Sequence, residues 1–65
     1  MYDIIVRTPK GSLVEAMSAS TDTCAFMVYE TTCESYSAPV GYEITLWERP
    51  CWRRAQILSS YISGK

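Results

Sequence analysis

The segment Gly41-Tyr-Glu-Ile-Thr-Leu-Trp-Glu-Arg-Pro-Cys51 constrains the fold more than any other part of this chain. Tyr42, Ile44 and Leu46 alternate with Glu43, Thr45 and Trp47 until Arg49-Pro50 ends the alternation. A period of two is the pattern of a strand that buries one face, so Tyr42, Ile44 and Leu46 are expected inward. A second segment repeats the pattern: Tyr2, Ile4, Val6 and Thr8 share one face, and Asp3, Ile5 and Arg7 share the other. Pro9-Lys10-Gly11-Ser12 then supplies turn chemistry, because Pro presets the first turn position and Gly accepts positive φ. The segment Leu13 to Ala19 returns and completes a hairpin. A chain of 65 residues forms one domain, 1–65, that buries only about 60% of the surface its unfolded form exposes. One side of such a sheet stays poorly covered, which makes Trp47 and Arg49 conspicuous on the outward side of the third strand.

Ser20-Thr21-Asp22-Thr23 is a cluster of N-cap residues ahead of the apolar run Cys24 to Tyr29. Six consecutive apolar residues also fit a buried strand, but about 14 residues before Ser37-Ala38-Pro39 suit a helix better. Its core stripe is expected at Ala25, Val28, Tyr29, Thr32, Cys33 and Tyr36, which leaves Phe26, Glu30 and Glu34 facing outward. Pro50 fits the first position of a second helix, and Cys51, Trp52, Ala55, Leu58, Tyr61 and Ile62 gather on one helical face before Gly64. The predicted fold class is therefore α+β. It has a three-stranded antiparallel sheet with one packed helix, in the order β-β-α-β over a core of residues 1–50, and a C-terminal helix over 50–63.

Net charge is −1, but the signs are segregated along the chain. Glu15, Asp22, Glu30, Glu34, Glu43 and Glu48 occupy a stretch from Gly11 to Glu48 that has no base; Arg49, Arg53, Arg54 and Lys65 follow with no acid. Such asymmetry steers charged partners unless the two halves pair with each other in the fold. Direct nucleic-acid binding is disfavoured, since phosphate contacts need a broad basic face.

Catalytic chemistry has little to build on. Histidine, the commonest general base near neutral pH, is missing. Glycine-rich phosphate loops and nucleophile or metal motifs are missing too. Cys24, Cys33 and Cys51 have no metal-ligand spacing, and nine residues of helix between Cys24 and Cys33 would hold their Cα atoms beyond disulfide reach. The expectation is a binding protein without enzymatic activity, cofactor, metal or small-molecule substrate. No apolar run is long enough to span a membrane, and Asp3 and Arg7 interrupt the first segment, so a cytosolic chain is expected.

From Pro39-Val-Gly-Tyr-Glu-Ile-Thr to Arg49-Pro50-Cys51 the sequence resembles the host RNA polymerase inhibitor, the gene-two product, of T-seven-like phages. That family carries Pro, a small residue, Gly, an aromatic, Glu, an aliphatic and Thr, then an arginine-bearing strand ending Arg-Pro-Cys. The likeness extends upstream through Ala19-Ser20-Thr21 as far as Val14, with its specific part confined to the last dozen residues. It implies three antiparallel strands with a helix across one face. It also implies a phage protein in the cytoplasm of an infected bacterium that binds the jaw of the RNA polymerase β′ subunit, near the downstream DNA channel, and inhibits host transcription initiation. Two arginines of the family's last strand contact acidic polymerase residues through paired hydrogen bonds. Arg49 matches the second; Leu46 or Trp47 stands where the first would be.

These readings make Arg49, Trp47, Arg53, Arg54, Glu43 and Glu48 the expected partner contacts, Trp and Arg being enriched where binding energy concentrates. Structural roles compete: Trp47 could pack under the C-terminal helix, and Arg49 could pair with Glu48 or Glu43. An alternative function is counter-defence, in the manner of an anti-CRISPR, with Glu30, Glu34 and Asp22 forming an acidic face that mimics DNA. A further alternative is an enzyme with Cys51 as nucleophile, which requires fast alkylation of that thiol.

Overall fold

A computed structural model describes residues 1–38 and 40–64. Pro39, where the family resemblance begins, and Lys65, the last base of the C-terminal block, lie outside the described residues. The chain is α+β. Its elements are β1 (Tyr2–Arg7), β2 (Leu13–Ala19), α1 (Asp22–Ser35), β3 (Glu43–Glu48) and β4 (Gln56–Ile62). The strands form one antiparallel sheet in the order β2-β1-β3-β4, and α1 crosses one face of it.

The sheet follows the alternation in the sequence. Ile4 stands opposite Leu46 and Val6 opposite Ile44, so the even-numbered residues of both central strands meet beneath the helix. All four are fully buried, and they form the core with Ala19, Ala25 and Tyr29. At roughly 1.5–3 kcal/mol for each fully buried aliphatic side chain, these four dominate the apolar contribution to stability. Helix α1 begins where Thr21 adopts an extended backbone and its side chain accepts a hydrogen bond from the Cys24 N–H at 3.2 Å. The expected stripe is present: Ala25, Tyr29 and Thr32 are buried, and Val28, Cys33 and Tyr36 are half-buried. Three threonines and a serine weaken helix propensity, and Thr32 instead donates its hydroxyl to the Val28 carbonyl at 2.7 Å. The helix stops at Tyr36, whose ring stacks on Tyr42 with centroids 5.6 Å apart and so ties the helix end to the entry of β3.

The C-terminal helix expected over 50–63 is not formed. Cys51 to Arg53 turn, and Gln56–Ile62 runs as a fourth strand against β3. Ser59 and Ser60 are poor helix formers, whereas Ile57, Tyr61 and Ile62 favour a pleated surface. A strand here also satisfies backbone groups along the outer side of β3, which would otherwise be a sheet edge. Its period of two is masked by a bulge. Trp47 pairs with Ile57 and Leu46 with Ser59, so Leu58 is an extra residue that shifts the phase mid-strand. Beyond the bulge, Ser59 and Tyr61 lie on the helix side. The Ser59 hydroxyl donates to Tyr29 Oη at 3.2 Å, and Tyr61 packs on the core.

Ser63 locks the end of β4. Its hydroxyl accepts from the Tyr42 N–H at 2.9 Å, its own N–H donates to the Tyr42 carbonyl, and it is 1% exposed. Gly41, with φ 85°, donates to the Ser63 carbonyl at 2.9 Å, and a Cβ there would stand 3.0 Å from Pro9 Cγ. Glycine is required at this turn for both reasons.

Candidate partner-binding site

Residues that alternate away from the helix form an open sheet face. Asp3, Ile5, Glu43, Thr45 and Trp47 lie on it by register, and Ala16, Ser18, Ile57 and Ile62 extend it across the edge strands. Trp47 is half-buried here rather than under a C-terminal helix. Its indole N–H donates to Thr45 Oγ1 at 2.9 Å, and the Thr45 hydroxyl donates towards the Ile5 carbonyl at 3.4 Å. The indole therefore lies back along its own strand, and Thr45 is only 5% exposed.

Arg49 has a partner that sequence reasoning did not identify. Its Nε donates to Asp3 Oδ2 at 2.8 Å and its Nη2 to Asp3 Oδ1 at 3.3 Å, a two-point grip of the kind a guanidinium fork makes on a carboxylate. Ser18 donates to the same carboxylate at 3.0 Å, so Asp3 collects β1, β2 and the exit of β3 into one polar cluster. The main chain continues the ladder, since the Arg49 N–H donates to the Met1 carbonyl at 2.8 Å. Neither Glu48 nor Glu43 takes Arg49. Glu48 lies on the helix side of the sheet, opposite Tyr2, and accepts from Arg53 Nη2 at 2.9 Å. Glu43 is half-buried on the open face, level with Arg7 and Ile62.

The turn between β3 and β4 carries the most exposed aromatic surface. Trp52 is 80% exposed, and Arg53 and Arg54 flank it; Arg54 makes no ion pair among the described residues. Trp47, Arg49, Arg53 and Arg54 lie towards one end of the sheet, with Arg53 and Arg54 in the β3–β4 turn rather than on a helix, and Trp52 joins them. The sequence signal for Trp52 was its place in Trp-Arg-Arg just after a proline, but assignment to an apolar helical face concealed it.

The acidic residues do not form one surface. Asp22, Glu30 and Glu34 are exposed on α1, across the sheet from Trp47. Glu15 accepts from Tyr36 Oη at 3.1 Å, and Glu48 is paired with Arg53. The sign segregation along the sequence is therefore partly cancelled in space. Cys24 and Cys33 both lie on α1, and Cys51 lies in the β3–β4 turn; Cys24 and Cys51 are exposed. Burial pushes the Cys33 thiol above its ordinary range, which keeps it protonated and unreactive near neutral pH. Among the described residues, no helix is long and apolar enough to cross a membrane.

No family model matches the chain, and no matching curated protein or solved structure was found.

Proposed function

We propose that this chain is a phage protein that binds the β′ subunit of bacterial RNA polymerase at its jaw, beside the downstream DNA channel, and inhibits transcription initiation. The observation that carries the reading is the exposed turn Trp52-Arg53-Arg54 set against Trp47 and Arg49 at the end of β3, the strand that bears the family resemblance. An exposed indole beside a guanidinium with no ion-pair partner among the described residues fits a partner surface that mixes apolar and acidic groups. Trp52 inserts as the anchor, Arg54 grips a carboxylate, and Trp47 and Arg49 extend the contact onto the open face. The acids of α1 face away from this contact and present negative charge to the DNA path.

Arg49 enters this contact already engaged by Asp3, so a partner carboxylate must share or displace that grip. Arg54 and Trp52 therefore contribute more to affinity than Arg49. Purified bacterial RNA polymerase tests the reading. Wild-type protein is expected to bind the enzyme and suppress open-complex formation, and Trp52→Ala and Arg54→Glu are expected to lose both effects. Unchanged inhibition in both variants would overturn the proposed surface. Loss only in a Glu30→Lys, Glu34→Lys double variant would favour the acidic DNA-mimic alternative.

A further inference from the structure

Among the described residues α1 is the one helix, and it packs on one face of the sheet; the other face has no covering layer. That open face has apolar side chains at both edges. By register Leu13 of β2 lies opposite Arg7, and Ile57 and Ile62 of β4 lie opposite Trp47 and Glu43. These three are 60%, 54% and 39% exposed, whereas Ile4, Val6, Ile44 and Leu46 on the helix side are fully buried. Apolar side chains left in water on one uncovered face mark a surface for a partner.

Charge selects the partner. The open face carries two acids, Asp3 and Glu43, and two bases, Arg7 and Arg49. Asp3 and Arg49 neutralise each other at one end of the central strands. At the other end Arg7 and Glu43 are cross-strand neighbours, yet neither has an ion-pair partner among the described residues. Arg7 instead donates to the Gly11 carbonyl at 3.4 Å. A nucleic acid, an anionic membrane or a basic peptide gains from one of these two charges and is repelled by the other. A second copy of the same face gains from both.

The topology brings the two charges into register. A two-fold axis along the strands, between β1 and β3, stacks β1 of each copy over β3 of the other and β2 over β4. Arg7 then faces the partner's Glu43, and the symmetry makes this contact twice. Leu13 faces the partner's Ile62, and Trp47 faces the neutral pair of Asp3 and Arg49. Sheets stacked face to face lie about 10 Å apart with strands about 30° from parallel, a gap that Arg and Glu side chains bridge close to the axis. The other in-plane axis, across the strands, fits worse. It sets Arg7 over an Asp3 already held by Arg49 and Ser18, and it leaves Glu43 against Trp47.

We infer that the open sheet face pairs two copies of this chain into a symmetric sandwich, joined by reciprocal Arg7–Glu43 ion pairs and by apolar contacts of Leu13, Ile57, Ile62 and Trp47. Four strands of six or seven residues cover about 20 by 20 Å, about half of the roughly 800 Å² per partner of a standard interface. The dimer is therefore weak and depends on concentration. Trp52 and Arg54 lie in the β3–β4 turn outside this contact, and the inference does not rest on the polymerase-binding reading.

Sedimentation velocity of the full chain alone, from about 10 μM to about 1 mM, is the test. The wild type is expected to pass from monomer to dimer over that range, and the NMR signals of the Trp47 indole N–H and the Ile5, Ile57 and Ile62 methyls are expected to move with it. Arg7→Glu and Glu43→Arg each set like charges against one another at both contacts and are expected to weaken self-association at least about tenfold. An equimolar mixture of the two variants restores opposite charges at both contacts and is expected to dimerise as the wild type does. The Arg7→Glu, Glu43→Arg double variant is expected to do the same. Rescue in the mixture separates a contact between copies from a pairing within one chain or a loss of fold. A wild type that stays monomeric to about 1 mM would overturn the inference. So would unchanged self-association in both single variants, a mixture that stays monomeric, or concentration-dependent shifts confined to Met17 and Met27 on the helix side.

Discussion

Asp3 and Arg49, 46 positions apart, are joined by two hydrogen bonds of 2.8 and 3.3 Å that tie the start of β1 to the exit of β3. The Arg49 side chain is 54% exposed and that of Asp3 21%, so solvent screens the pair. Arg49→Ala is therefore expected to cost only about 0.5–1 kcal/mol of folding stability. Arg49→Glu should cost more, because it sets a second carboxylate against Asp3. Urea denaturation of the two variants measures the difference. Asp3→Asn, which loosens the grip on Arg49, is expected to strengthen polymerase binding if Arg49 contributes to that contact.

Ser63 is buried and supplies the acceptor for the Tyr42 N–H. Ser63→Ala removes that acceptor and leaves a partly buried donor unpaired, with an expected loss of about 1 kcal/mol. Gly64, just beyond it, does not close a helix. Ala55 precedes β4 in the turn region, so Ala55→Gly should cost well below the roughly 1 kcal/mol that a helix interior would lose. Chemical denaturation of both variants separates a strand from a helix here: a small Ser63→Ala effect with a full Ala55→Gly penalty would contradict the fourth strand.

Alkaline pH should destabilise the fold. Burial raises the Tyr29 phenol above its ordinary value of 10.0 and the Cys33 thiol above 9.0, and the hydrogen bond to the Glu15 carboxylate raises the Tyr36 phenol above 10.0. Each group holds its proton more tightly when folded. Their contribution is complete below the ordinary values and is lost as pH rises through the folded ones. The urea midpoint is thus expected to hold steady to about pH 8.5 and to fall above it. Tyr29→Phe should flatten part of that decline.

Thiol reactivity divides the cysteines. Cys24 and Cys51 are exposed, whereas Cys33 is half-buried with a raised pKa, so alkylation at neutral pH should leave Cys33 as the last thiol modified. Peptide mapping after timed alkylation provides the order. Cys33 reacting first would contradict the packing of α1.

The two central strands were readable because alternation and burial keep one phase along β1 and β3. Ile4, Val6, Ile44 and Leu46 are buried where a period of two places them, and Thr21 caps the helix that its cluster announced. The fourth strand was not readable, since the bulge at Leu58 breaks the alternation just where Pro50 and Gly64 imitate helix boundaries. That misreading propagated to the site. It placed Trp52 on a buried face, whereas the turn exposes it. The partner of Arg49 was hidden for another reason. Pairing with Asp3 depends on β1 lying directly beside β3, and strand order is a tertiary outcome that no local pattern encodes. Glu48 paired with Arg53 across the same turn, which likewise requires β4 to turn back as a strand.

The most direct measurement is open-complex formation by purified bacterial RNA polymerase on a promoter, titrated with the wild-type chain and with Trp52→Ala, Arg54→Glu and Glu30→Lys, Glu34→Lys variants of confirmed fold. Inhibition by the wild type that is lost in Trp52→Ala and Arg54→Glu, and retained in the double variant, is the predicted result. Full inhibition by Trp52→Ala and Arg54→Glu, or none by the wild type, would contradict the proposed polymerase-binding surface.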